Sequence, residues 1–183
     1  AVNNWAIGGN SGTAGSGYLG TTDNVTFTIG INSSPVLRIF PRQQSPNIIG
    51  GYAGNYTTAN AYGATIAGGG SFFYENRALR EYSTVGGGRK NQADNYGATI
   101  AGGIDNWASN DYATVAGGLR NYATGNASAI AGGFYNVASG YVAFVGGGDL
   151  NWALTQNATV SGGYSNTVSG GQLIANGTIV SAD

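Results

Sequence analysis

Ala64-Thr65-Ile66-Ala67-Gly68-Gly69 opens a series of seven versions of one phrase, whose later members end at Gly87-Gly88, Gly102-Gly103, Gly117-Gly118, Gly132-Gly133, Gly147-Gly148 and Gly162-Gly163. The last six glycine pairs are each 15 residues apart. One unit of that length cannot bury an apolar face by itself, so it must stack on its neighbours as the rung of a solenoid. Counted from the first glycine of each pair, rungs begin at 50, 68, 87, 102, 117, 132, 147 and 162, which makes the first two 18 and 19 residues long. Their extra residues fall near 55–59 and 72–75. Insertions in solenoids collect on one face and often bind, so Phe72, Phe73 and Tyr74 are expected on a projecting binding loop.

Columns read down the repeat separate an inner face from an outer one. Position 14 is always β-branched: Ile66, Val85, Ile100, Val115, Ile130, Val145 and Val160. Position 12 lies two residues earlier, on the same side of a strand, and is always small: Ala64, Ser83, Ala98, Ala113, Ser128, Ala143 and Ala158. Position 13 faces the other way with Thr65, Thr84, Thr99, Thr114, Ala129, Phe144 and Thr159. A second short strand is expected after each glycine pair, with Asn91, Asn106, Asn121, Asn136, Asn151 and Asn166 at position 5 and Ala or Val at position 7. Stacked Asn side chains can hydrogen-bond from rung to rung and satisfy polar groups at a buried turn. A rung of this kind encloses little. Eight rungs at ~4.8 Å each span ~38 Å, with mostly Ala and one Val or Ile inside. The Val/Ile column is therefore expected to meet the same column of other chains in a cyclic homo-oligomer.

Composition narrows the class further. The 183 residues include 34 Gly and only 3 Pro without a period of three, which excludes collagen. Charged residues are 8% and apolar ones 42%, the reverse of a disordered chain. A net charge of −1 supplies no basic surface for nucleic acid or anionic lipid. No apolar run is long enough for membrane insertion. Ala1 is the kind of small residue that follows a signal-peptidase cut, and an extracellular or cell-surface location is expected. The chain divides near residue 47. Residues 1–46 hold all three prolines and two alternating runs, 24–29 and 35–40, joined by a hairpin connection at 30–34. They read as a small N-terminal β cap or meander, followed by the repeat array at 47–176 and a C-terminal tail at 177–183.

Chemistry-bearing residues are sparse. With no His, Cys or Met, the chain offers few acid/base or nucleophile pairs, and neither an enzyme nor a cofactor is expected. Asp105 and Asp111, or Asp94 and Asp111 on a neighbouring rung, could sit close together, but the nonapeptide of calcium-binding β-rolls is missing, so no metal site is assigned at Asp94, Asp105 or Asp111. Gly86 to Lys90 lacks the context of a phosphate loop. Aromatics at position 6 (Trp107, Tyr122, Trp152) and ahead of position 12 (Tyr96, Tyr112, Tyr141) either pack between rungs or stack on a ligand. Arg77, Arg80, Arg89, Lys90 and Arg120 with Glu75 and Glu81 read as a surface salt-bridge patch. Asn-x-Ser/Thr sequons at Asn24, Asn32, Asn55, Asn126, Asn157 and Asn176 are candidate glycosylation sites.

Tyr112 to Gly118, continued by Asn121 to Thr124, resembles the head repeats of trimeric autotransporter adhesins of the YadA type. It also resembles the repeat region of phage-like tail-fibre proteins that carry a C-terminal chaperone domain. The segments 5–10 and 18–24 are similar to the region preceding the repeats in those fibres. The resemblance implies an all-β, left-handed parallel β-roll of 15-residue rungs, an intertwined or side-by-side homotrimer, with the Val/Ile column at the threefold axis. It further implies a non-enzymatic structural or adhesive rod, an adhesin head or virion fibre shaft, with a glycan or surface ligand as partner. A self-assembling extracellular filament joined end to end is the alternative, and an ice-binding solenoid a remote one, since Ala129 and Phe144 interrupt the Thr column.

Overall fold

The computed structural model describes residues 19–170 and the strand Ile174–Ala175. The fibre-like segment at 5–10, the Asn176 sequon and the tail at 177–183 lie outside the described residues. Among those residues there are nineteen strands and no helix. The chain is a parallel β-solenoid of about eight turns, most of them 15 residues long.

Strands β1 (Phe27–Ile31) and β2 (Ser34–Phe40) form an antiparallel hairpin with a bulge at Ile29/Gly30. Asn32 and Ser33 turn it at φ of 49° and 61°, the paired positive values that suit the strand twist of a two-residue hairpin. β2 runs antiparallel to β3 (Asn47–Gly50), and β3 is parallel to Thr65–Ile66, the first strand of the regular stack. That stack continues through Thr84–Val85, Thr99–Ile100, Thr114–Val115, Ala129–Ile130, Phe144–Val145, Thr159–Val160 and Ile174–Ala175, giving one sheet of eleven strands. The second sheet has eight, from Tyr56–Thr57 and Arg77–Ala78 through Gln92–Ala93 and its successors to Thr167–Val168.

Side-chain alternation fills the space between the sheets. One sheet contributes the Val/Ile column and the other the position-7 alanines Ala78, Ala93, Ala108, Ala123, Ala138 and Ala153; position 12 closes the side. The expectation that the Val/Ile column forms a seam between chains is overturned for the column itself. Ile66, Val85, Ile100, Val115, Ile130, Val145 and Val160 are all at most 1% exposed within one chain. The two sheets lie close enough that one branched side chain reaches the facing alanine, so the narrow rung seals its own interior. Each such side chain contributes about 1.5–3 kcal/mol of burial, and the backbone ladder adds to it.

At position 5 the side chains form a continuous polar spine. Asn121 Nδ2 donates to the Gly117 carbonyl of its own rung at 3.0 Å and to the Gly133 carbonyl of the next at 2.9 Å, while its Oδ1 accepts the Asn136 backbone N–H at 3.0 Å. Equivalent bonds join Asn91, Asn106, Asn136, Asn151 and Asn166. The spine starts earlier than the column suggests, at Asn55 and Asn76. Asn55 is fully buried with both amide hydrogens engaged, which removes it from the glycosylation candidates.

Two corners of the rung adopt the left-handed backbone region mostly without glycine; Gly63 and Gly97 take the second corner in two rungs. Lys90, Asp105, Arg120, Tyr135, Leu150 and Ser165 have φ between 52° and 58°, and Tyr112, Ala127, Val142 and Asn157 repeat the pattern at the opposite corner. The reversal aims their N–H groups at the preceding rung, as in Arg120 N–H to the Ile104 carbonyl at 3.0 Å and Tyr112 N–H to the Tyr96 carbonyl at 2.8 Å. Most strand amides point at the following rung instead, as Thr114 does to Ser128 at 2.9 Å.

The glycine pair is asymmetric. A Cβ at Gly118 would lie 2.2 Å from the Gly133 carbonyl oxygen, whereas nothing lies within 4 Å of one at Gly117. Gly118→Ala is expected to destabilise by about 2–4 kcal/mol through overpacking and positive φ, and Gly117→Ala by less than about 1 kcal/mol. Urea denaturation of the pair checks this; equal losses would refute it. Asn121→Ala takes the side-chain partner from the Gly117 carbonyl and from the Asn136 N–H in a buried site and should cost about 2–5 kcal/mol, seen as a large drop in melting temperature.

Candidate functional site

The regular columns put three aromatic features on the outside. The first is the insertion in the second rung. Asn76 donates to Gly68 from eight residues away, against four for Asn91 and Gly87, so the spine bond is kept and the extra chain is pushed outward. Ser71 and Tyr74 exchange backbone hydrogen bonds of 3.2 and 2.8 Å that close the loop. Phe72 and Phe73 are left at its tip, 68% and 78% exposed, with ring centres 4.1 Å apart. Tyr74 turns back: its carbonyl accepts Lys90 N–H at 3.1 Å and its ring lies 5.2 Å from the Arg89 guanidinium. The first-rung insertion splits around the spine. Asn55 stands five residues after Gly50, not four, and the remaining extra residues follow Thr58.

The second feature is a row of tyrosines along one corner. Tyr62, Tyr82, Tyr96 and Tyr112 meet edge to face at 5.3, 5.6 and 5.5 Å. Their sequence signal is a two-rung alternation, Tyr62-Gly63, Glu81-Tyr82, Tyr96-Gly97, Asp111-Tyr112. Each glycine makes room for the next ring: a Cβ at Gly63 would lie 2.7 Å from Tyr82, and one at Gly97 would lie 3.1 Å from Tyr112. Desolvation first, then the neighbouring Tyr112 and Tyr82, hold the Tyr96 phenol above its ordinary range. Tyr141 stands outside the row. Packing between rungs therefore accounts for Tyr96 and Tyr112, while Trp107 and Trp152 at position 6 face outward and are partly exposed.

The third feature joins charge to apolar surface. Position 3 carries Arg89, Ile104, Leu119 and Phe134, bridged rung to rung, and position 4 carries Lys90, Asp105 and Arg120 beside it. With Tyr74 these residues line a hollow of about 480 Å³ at the foot of the insertion loop. A second hollow, about 240 Å³, lies across the Lys90–Asp105 ridge against Gln92, Trp107 and Tyr122. Asp105 Oδ2 receives Lys90 Nζ at 3.0 Å and Arg120 Nε at 3.4 Å. The Tyr135 phenol, through its charge and then its hydrogen bond, holds Arg120 above its ordinary range. Burial, and then the Asp105 charge, raise the Tyr122 phenol.

The basic patch read from sequence thus divides. Arg77 pairs with Glu75, and Arg80 lies 3.7 Å from Glu81, whereas Arg89, Lys90 and Arg120 gather at the hollow. The aspartates are kept apart by separate partners: Asp94 accepts from Trp107 Nε1 at 2.6 Å, and Asp111 from Tyr96 N–H at 3.2 Å. Among the described residues no three His, Cys, Asp or Glu side chains converge as metal ligands. Of the remaining sequons, Asn24, Asn32 and Asn157 are exposed and Asn126 is half-buried. No helix of the described residues is long and apolar enough to cross a membrane.

Tyr96→Ala removes two edge-to-face contacts and should cost about 1–3 kcal/mol, with loss of near-ultraviolet tyrosine dichroism. Tyr141→Ala, outside the row, should stay within about 0.5 kcal/mol of the parent; similar losses for both would show that the row adds nothing. Compared with known proteins, the chain matches no family model, and no curated protein is significantly similar to it.

Proposed function

We propose that this chain is a non-enzymatic extracellular rod that holds an adhesive surface at a fixed distance from its point of attachment. The observation that carries the reading is the Phe72-Phe73 tip. Two adjacent phenylalanines, more than two-thirds exposed, project from a shaft whose every rung is tied to the next by backbone and asparagine bonds. Large apolar groups exposed side by side at a projecting tip mark a contact site. The repeats' resemblance to adhesin heads and fibre shafts supports the same reading.

The homotrimer implied by that resemblance would have to form through outward-facing side chains such as Phe144 and Trp152, because the Val/Ile column is filled within one chain. End-to-end filaments are a second reading, favoured by the position of Thr167–Val168 at the end of the eight-stranded sheet, where among the described residues no further strand pairs with it and a parallel edge can template another strand.

Light scattering and negative-stain microscopy separate these forms. Discrete rods about 40 Å long, from ~4.8 Å per rung, at one or three chain masses, fit the rod; long fibres would select the filament. Beads coated with the chain should adhere to bacterial or animal cells, and the Phe72→Ser/Phe73→Ser variant should adhere several-fold less with unchanged circular dichroism. Failure to adhere to any cell in a broad panel would defeat the adhesive reading.

A further inference from the structure

Three of the chain's seven Lys and Arg side chains border the 480 Å³ hollow at the foot of the insertion loop, in a protein with only 8% charged residues. They face a single lining carboxylate, Asp105, which is shared between Lys90 and Arg120. Arg89 forms no ion pair among the described residues and is oriented by the Tyr74 ring. The surplus of positive charge is therefore local and unneutralised. The fold does not require it. Position 4 takes the same left-handed backbone at Leu150 and Ser165 as at Lys90 and Arg120, and Lys and Arg have no advantage in that region. Phe134, 37% exposed, forms an apolar wall on the line that carries Arg89, three rungs further along. The volume falls within the ~300–1,000 Å³ of small-ligand sites, which pair an apolar wall with a few polar groups.

We propose that this hollow binds a carboxylated sugar of an acidic glycan, its carboxylate on Arg89 and Lys90, the apolar face of its ring toward Ile104 one rung along, and the adjoining sugar toward Phe134. The Arg89 fork matches a planar carboxylate in a two-point contact. Asp105 sharpens the choice: its charge disfavours a phosphate dianion, and its oxygens accept from sugar hydroxyls. A nucleic acid would need a row of cations along the rod, yet position 3 beyond Arg89 turns to Ile104, Leu119, Phe134 and Asp149. The proposal rests on the adhesive reading above and names the chemistry of its ligand.

Calorimetric titration with tetragalacturonate, sialyllactose and a glucuronate disaccharide, against lactose and galactotetraose, tests it. At least one acidic sugar should bind at least tenfold more tightly than its neutral counterpart, and that binding should weaken in 0.5 M salt, as a partly exposed charge pair must. Arg89→Gln with Lys90→Gln should weaken it roughly tenfold or more without lowering the melting temperature. Tyr164→Ser, two rungs past Phe134 on the same line, should leave it unchanged. Equal binding of neutral sugars, an unaffected double variant, or no binding of any acidic sugar at millimolar concentration would overturn the assignment. Should beads carrying the double variant still adhere to cells, the acidic-sugar site falls while the adhesive rod stands.

Discussion

The side chain of one asparagine per rung sets the register on which everything outside the core depends. Its amide spans two carbonyls, one in its own rung and one in the next, and its oxygen takes the backbone N–H of the following asparagine. The asparagines are buried, so a slip of one residue would leave polar groups of every rung unpaired. The glycine after each turn belongs to the same device. Only a residue without Cβ lets the carbonyl of the next rung approach closely enough to receive the amide.

Fixed register turns a weak hydrophobic core into a sufficient one. Each rung buries one branched side chain against alanine, and no layer is large. The two left-handed corners point amides back along the axis while the strands point theirs forward, so neighbouring rungs are bonded in both senses. The stack is held chiefly by short repeated polar contacts, and the thinness of the interior ceases to be an argument for a shared core.

The same register arranges the surface. Because rungs superpose, a tyrosine at one corner meets the tyrosine of the next rung, and charged side chains at position 4 fall within salt-bridge distance of one another. The four-residue insertion of the second rung falls at the corner between the glycine pair and the asparagine, where extra chain bulges outward without disturbing the spine. The hollow, the phenylalanine tip and the charged ridge adjoin because they flank that one tolerated break.

Much of this was legible in the chain. The 15-residue interval, the inward Val/Ile and small columns, the asparagine column and the protruding Phe72-Phe73 pair follow from periodicity and its break, since residues at one position of a stacked repeat must share one environment, whereas Tyr74, expected on the same loop, turns back onto the shaft. Three things were not. Position 4 varies among Lys, Asp, Arg, Tyr, Leu and Ser, so nothing in its composition announces a left-handed corner. Asn55 resembles an exposed sequon until its rung is aligned by hydrogen bonds and not by counting. Whether the Val/Ile column faces its own chain or another depends on the spacing between the two sheets. Sequence by itself determined the period, the faces and the place where the repeat breaks, because those are properties of order along the chain. Only the tertiary structure decided what each face meets, because distances between sheets and between rungs come from packing and hydrogen-bond geometry that no single rung contains.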